Sequence, residues 1–204
     1  LRKINFNHAF KVESIIQNKY FEVRLKKSKS KNIFFKNYQE IFMIGKKMAE
    51  ALNKQINEEL YSWYLYLAMS AYFSDSNFVG TANWLKLQAN EEMNHAMKFY
   101  NYLNEVGQKI VLQKVEQPPS DFKNHLEAFQ QVLNHELHIT KCINDLADLA
   151  NAEKDHATAN FLVWFVNEQI EEVGTAKLIL EKVKMVGSST HTLYLLDREM
   201  GKRA

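Results

Sequence analysis

The chain has 204 residues, 46% hydrophobic and 25% charged, which suffices for one domain with a sizeable core. No apolar run reaches the ~18 residues of a membrane span, and the single cysteine, Cys142, excludes an intrachain disulfide. The net charge of +2 averages two unlike parts: residues 1–42 carry ten Lys/Arg against three Asp/Glu, and residues 43–204 carry 16 against 21.

Residues 1–42 show no clear period and contain the basic run Lys26-Lys27-Ser28-Lys29-Ser30-Lys31. Three readings stand for this extension. It is an artefact of a start codon placed too early, since Met43 opens the periodic part; or a basic, acid-poor targeting presequence; or a basic arm that touches nucleic acid or membrane. From Lys46 a 3.6-residue period is sustained. It predicts a first helix over 45–73, with Leu52, Ile56, Glu59, Trp63, Tyr66 and Phe73 on one face. Ser74 to Asn77 is turn chemistry. A second helix over 79–106 turns Trp84, Leu85, Glu92, His95, Phe99 and Tyr102 inward, and Gly107 fits its end.

A connection at 108–120 follows, closed by Pro118-Pro119 and the cap candidate Ser120. The third helix, 121–150, carries Leu126, Phe129, Leu133, Glu136, Ile143 and Ala147 on one stripe. Asp155 is the cap candidate for a fourth helix over 156–186, with Phe161, Trp164, Phe165, Glu168, Glu172, Ile179 and Val183 near the core. Gly187 ends it, and a short fifth helix over 190–200 follows. The first and third connections are short, so they make antiparallel hairpins. The middle one, extended, spans at most ~45 Å, against roughly 40 Å for the second helix. It can run the length of the bundle. The expectation is an all-α four-helix bundle with one long crossover connection and a short C-terminal fifth helix.

Each long helix interrupts its apolar stripe with a carboxylate: Glu59, Glu92, Glu136 and Glu172. His95 lies one turn beyond Glu92 on the same face. A buried, unpaired carboxylate costs several kcal/mol, and no Lys or Arg on these stripes answers the four. A pair of dications does. Carboxylate and imidazole donors suit iron, manganese or zinc, and the thiolates of a structural zinc site are missing. One inward Glu alone is more often a snorkelling side chain; four at mid-helix, with Glu-x-x-His, reverse that weighting. The general di-iron pattern has a Glu-x-x-His on each of two helices. Here the fourth helix offers Glu168-Gln169-Ile170-Glu171-Glu172 without histidine, so one ion lacks an imidazole and its coordination is expected to be weaker and more open.

In combination these motifs resemble the ferritin-like di-iron family, in its bacterial non-haem ferritin branch. Asn57-Glu58-Glu59-Leu60-Tyr61-Ser62 resembles the first-helix motif. Glu91-Glu92-Met93-Asn94-His95 resembles the second-helix ferroxidase motif, and His135-Glu136 with Ile139-Thr140 the third. Phe161-Leu162-Val163-Trp164 leading to Glu168-Gln169 resembles the fourth. The resemblance spans residues 43–201 and leaves 1–42 without a counterpart.

It implies iron storage and detoxification by a ferroxidase that oxidises Fe(II) with dioxygen or hydrogen peroxide. Glu59, Glu92 and His95 would hold one iron. Glu92, Glu136 and Glu172 would hold the second, with Gln169 beside them. Glu91, Glu168 and Glu171, sharing Glu172, would form a third iron site; the alternative is a solvated acidic face. Tyr66 would stand beside the di-iron centre as an electron donor; the alternative is a hydrogen-bonded core tyrosine. The resemblance further implies a homo-oligomeric shell of twenty-four subunits, no haem, and a cytoplasmic location, or an organellar one if residues 1–42 are a presequence. Neither nucleic acid nor a membrane is expected as a partner.

Two rival functions are a di-iron oxidase or peroxidase without storage, which usually carries the second Glu-x-x-His, and a metal-free interaction bundle. A haem-binding bacterioferritin is a third, but Ile170 to Val173 offer no histidine. His125, His135, His138, His156 and His191 hold no stripe position and read as surface residues. Cys142 reads as a small core residue, and Trp63 and Trp164 as core, with Trp164 also an oxidation target.

Overall fold

The computed structural model describes residues 44–203; the expectations for residues 1–42 fall outside them. Five helices follow in chain order: α1 (Lys46–Asp75), α2 (Val79–Glu105), α3 (His125–Glu153), α4 (His156–Val186) and α5 (Thr190–Met200). No strand occurs among the described residues. None of these helices is long and apolar enough to cross a membrane.

The helix directions follow from which residues meet. On α1 and α3, Phe73 meets His125 and Phe129, Tyr66 meets Glu136, and Glu58 meets His138. Rising numbers on one helix pair with falling numbers on the other, so α1 and α3 are antiparallel. Ser70 bonds the Ala82 carbonyl at one end of α1, and Gln108 reaches the Ile44 carbonyl at the other, so α1 and α2 are antiparallel too. Hence α2 and α3 run parallel, and the segment between them is the expected long crossover. Asn53 pins its start, donating to the Lys109 carbonyl and accepting from the Val111 amide (3.1 and 2.7 Å). Phe122 anchors its end edge-on against Tyr72.

Local chemistry sets the helix ends. The third helix starts at His125 and not at 121, because Asn124 rather than Ser120 supplies the cap, its side chain accepting from the Glu127 amide at 2.9 Å. The Glu127 carboxylate returns to the Lys123 amide, so both orphan donors are met locally. That helix runs on to Glu153, where Lys154 turns left-handed (φ 57°). Asp155 caps α4, as its position predicts, accepting from the Thr158 amide at 3.0 Å.

No side chain of its own segment caps α2. The donors of its first turn are met from the other end of the chain: Asp197 of α5 accepts from the Gly80 and Thr81 amides at 3.1 and 2.7 Å. Asp197 is buried there. The helices cross so closely that a Cβ on Gly80 would lie 1.8 Å from the Asp197 carbonyl oxygen. Only glycine fits this crossing.

The core divides into two apolar clusters. One gathers Leu65, Tyr66, Met69, Phe73, Leu85, Phe129, Val132 and Leu180. The other gathers Met48, Leu52, Ile56, Phe99, Leu103, Ile139, Leu162 and Phe165. On every long helix the inward carboxylate falls between the two.

Several side chains depart from the expected stripe. Leu126 (45% exposed) and Trp164 (38%) lie at the surface, and Trp63 is half-buried. Leu126 sits in the first turn of α3, beyond the end of the packed stripe. Trp164 is displaced from the core by the adjacent Phe165, which stacks on Phe99 with centroids 4.1 Å apart. His125 is buried between Phe73 and Phe78, not at the surface. Cys142 is half-buried beside His138 rather than in the core.

Asp197→Ala should destabilise the protein by about 1–3 kcal/mol, since two buried amides lose their acceptor; urea denaturation reads this. Gly80→Ala should push α5 off α2 and expose the C-terminal segment to protease. Unchanged stability and protease resistance in both variants would show that α5 does not dock in this way.

Candidate metal centre

The four stripe carboxylates meet at one depth. Glu59, Glu92 and Glu136 are only 1–2% exposed, which excludes snorkelling, and Glu172 and His95 are buried with them. Their donor atoms form overlapping groups, each within 4.8 Å: Glu59, Glu92 and His95; Glu92, Glu136 and Glu172; His95, Glu168 and Glu172. Glu92 belongs to the first two, so it sits where two neighbouring ions would share a ligand. His95 Nδ1 is 3.4 Å from Glu92 Oε2, and its Nε2 is 3.9 Å from Glu168 Oε1.

The donors are oriented by neutral amides and hydroxyls. Gln55, one turn before Glu59, donates to it at 2.8 Å. Gln88, one turn before Glu92, donates to Glu92 at 3.1 Å and to Glu172 at 2.7 Å. The Thr140 hydroxyl lies 2.9 Å from Gln169 Oε1 and 2.8 Å from the Glu136 backbone carbonyl. Tyr66 donates its phenol proton to Glu136 Oε1. One oxygen on each of Glu59 and Glu136 is buried and has no partner. Such orphans are costly; each is an acceptor open to a cation.

Burial and then the Glu92 charge push Glu59 and Glu136 well above the ordinary carboxylate range. The same two causes lift Glu172 from 4.5 to about 7. Burial lowers the His95 affinity for a proton, but the hydrogen bond and charge of Glu92 outweigh it and the net shift is upward. Burial, then the Glu136 charge, keeps Tyr66 a phenol. All of these shifts report one field, strongly negative and poorly hydrated. It selects protons or cations.

Of the sequence-predicted residues, Glu59, Glu92, His95, Glu136 and Glu172 come together, and buried Gln169 and Tyr66 border them. Glu168 joins through His95 and Glu172. Glu91 and Glu171 are in none of these groups; Glu91 instead pairs with Arg203, and Glu171 is exposed. His135 departs from its surface expectation: its Nε2 lies 2.7 Å from the Ser62 hydroxyl, its ring stands edge-on to Tyr66, and burial lowers its pKa to about 4. Sequence reasoning missed Gln55, Gln88, Thr140 and Arg203. The two glutamines did carry a signal, since each precedes a stripe Glu by four residues and shares its face. Arg203, whose guanidinium bonds the Gln88 oxygen at 2.9 Å, carried none.

A helical bundle with a buried, carboxylate-rich centre for divalent cations is thus the class that fold and site define. Comparison with known proteins narrows it. Residues 49–186 match the family profile described as Ferritin-like domain. Bacterial non-heme ferritin of Bacteroides fragilis is 40% identical over 161 residues, covering 79% of this chain and all of that protein. The Campylobacter jejuni bacterial non-heme ferritin is 40% identical over 156 residues, covering 76% of this chain and 93% of that one. Among solved structures, an open-pore ferritin from the hyperthermophilic archaeon Archaeoglobus fulgidus is 45% identical with a TM-score of 0.78, covering 79% of this chain and 98% of that one. The chain belongs to the ferritin family, whose function is iron storage with ferroxidase activity.

Two outcomes follow. Between pH 4.5 and about 7 folded Glu172 holds a proton that the unfolded chain has released. The Glu172 contribution therefore falls as pH rises through this window, while His135, buried neutral with a pKa of about 4, works the opposite way up to its unfolded value of 6.5. Above that the metal-free protein should lose stability as pH rises, with Glu59 and Glu136 extending the fall upward. Saturating divalent cation should flatten the slope. Urea midpoints rising from pH 6.5 to pH 8 in the metal-free protein would contradict the shared burial of these acids. Secondly, Gln88→Leu removes the amide that orients Glu92 and Glu172. Anaerobic calorimetry should show divalent-cation affinity reduced about tenfold.

Proposed function

We propose that each subunit binds two Fe(II) ions as substrate between its four long helices and oxidises them together. Glu59, Glu92 and His95 hold one ion. Glu92, Glu136 and Glu172 hold the other, with Gln169 at its edge. What supports this reading is the sharing of Glu92 between two donor groups in a layer that, among the described residues, holds no buried lysine or arginine. Four carboxylates and one imidazole stabilise Fe(III) over Fe(II), because hard anionic oxygens favour the higher charge.

The redox balance then follows. Each Fe(II) gives up one electron. The pair reduces dioxygen to hydrogen peroxide with uptake of two protons, or hydrogen peroxide to two waters with uptake of two protons. The protein's part is to place both ions within reach of one oxidant and to keep the surrounding acids and phenol in place. Tyr66, whose phenol is bonded to Glu136, is the electron donor where dioxygen is taken to two waters. Two electrons then come from the paired ions, one from an Fe(II) at the third site and one from Tyr66, with four protons consumed, one of them the phenol's.

Product Fe(III) leaves by the half that lacks an imidazole and mineralises within a closed homo-oligomeric shell. Glu168, within reach of both Glu172 and His95, is the next carboxylate on this route, and Glu91 and Glu171 form with it the third iron site of the proposal. A shell of twenty-four chains at 23.9 kDa has a mass of about 570 kDa. Iron handled in this way is iron kept inside the cell, and a cytoplasmic location is part of the reading.

The test is size-exclusion chromatography combined with aerobic Fe(II) addition. The wild-type chain should elute as a particle of this mass and turn yellow with retained Fe(III). Glu92→Ala should assemble normally yet lose at least about tenfold in initial oxidation rate. A small particle that leaves Fe(II) oxidation at the buffer rate would remove the storage reading. Wild-type kinetics in Glu92→Ala would place the chemistry elsewhere.

A further inference from the structure

Outside the buried centre, a second and chemically different donor set spans the seam between α1 and α3. His138 and Cys142 lie one turn apart on α3, and Glu58 faces them from α1. Their donor atoms lie within 4.8 Å of one another. Cys142 Sγ is 3.6 Å from His138 Nε2, and Glu58 Oε2 is 3.0 Å from the same nitrogen. A sulfur and an oxygen of opposing helices thus converge on one imidazole nitrogen.

Those separations match the edges of a metal tetrahedron. With metal–sulfur and metal–nitrogen bonds of ~2.3 and ~2.05 Å, a tetrahedral angle sets sulfur and nitrogen ~3.6 Å apart. Metal–oxygen and metal–nitrogen bonds of ~2.05 Å set oxygen and nitrogen ~3.3 Å apart. The observed 3.6 and 3.0 Å therefore require movement of a few tenths of an ångström at most on either edge. Glu58 and Cys142 are partly buried, while His138 is half-exposed and leaves a path for an ion. The other Glu58 oxygen is held by Lys54 at 3.5 Å, which supports the carboxylate from outside.

We propose that Glu58, His138 and Cys142 form a three-ligand site for a zinc-class divalent ion, with water in the fourth position. One thiolate and one carboxylate neutralise the dication. The sulfur donor sets the preference: Zn(II) and Co(II) bind, while Mg(II) and Ca(II) do not. This site is separate from the ferroxidase reading. It contains a thiolate, the buried centre contains none, and the ion would clamp α1 to α3.

Cobalt distinguishes the two sites, because Cys142 is the only cysteine of the chain. Anaerobic Co(II) titration of the full, assembled protein should raise a near-ultraviolet thiolate-to-cobalt charge-transfer band that saturates at one ion per chain. Cys142→Ser should abolish the band while elution and helical circular dichroism stay unchanged. His138→Ala and Glu58→Gln should each weaken it by about tenfold in apparent affinity. Zn(II) should bleach it and excess Mg(II) should not. Cobalt bound without the band overturns the proposal. So does a band indifferent to His138→Ala and Glu58→Gln, or one that Mg(II) bleaches as well as Zn(II) does.

Discussion

Four carboxylates occupy a layer from which water is excluded, and this sets the terms for everything else in the bundle. Placed in one apolar core they would be intolerable as ions, since each uncompensated charge costs several kcal/mol. The fold does not dilute this cost by spreading them. It closes an apolar cluster above them and another below. The layer is thereby kept dry, which makes the electrostatic demand for cations large. The amides of Gln55 and Gln88 and the phenol of Tyr66 are neutral, so they orient the acids without discharging them. A lysine in any of those places would satisfy the layer permanently and leave nothing for an ion to do.

The C-terminal segment is tied to the same layer through one helix. Asp197 caps the start of α2, and Gly80 lets α5 approach near enough for it to do so. Beyond α5, Arg203 bonds Gln88 and Glu91 and lies over the Trp84 ring at 4.7 Å. By taking the Gln88 oxygen, the guanidinium turns its amide nitrogen toward Glu92 and Glu172. A residue at the chain's end thus settles an orientation that a glutamine alone leaves ambiguous. The tethering also makes Glu91 half of an ion pair, which any role in handling iron has to break.

What was legible in the sequence was what periodicity carries. The stripe exposed Glu59, Glu92, Glu136 and Glu172 because a 3.6-residue repeat makes an inward charge visible as an exception. The length of the middle connection made the crossover visible. Reading failed where position on a face does not decide burial. Trp164 and Leu126 are large and apolar and lie near the stripe, yet Phe165 takes the place of the one and the other sits in the first turn of α3. His125 and His135 look like surface histidines by composition, but aromatic neighbours from other helices enclose them. Ser120 and Asn124 are both fair caps, and only the hydrogen bonds with Glu127 separate them. Arg203 sits more than a hundred residues from its partners, a distance that no local pattern bridges.

The unequal halves of the centre have a consequence under the proposed chemistry. In one half Glu59, Glu92 and His95 offer an imidazole among carboxylates. In the other, helix α4 offers Gln169 and Glu172, three residues apart, where the general di-iron pattern has Glu-x-x-His, and so supplies no imidazole. The Thr140 hydroxyl holds the Gln169 oxygen, the atom that would bind a cation. An oxygen so engaged is a poor ligand. An enzyme that must keep both ions for turnover after turnover gains nothing from such a half. A protein whose product is the ion itself does, because each oxidised pair has to leave before the next arrives. Glu168, grouped with Glu172 as well as with His95, stands where a departing ion would find its next carboxylate. Weak retention on one side of Glu92 and firmer retention on the other together give direction to the flow.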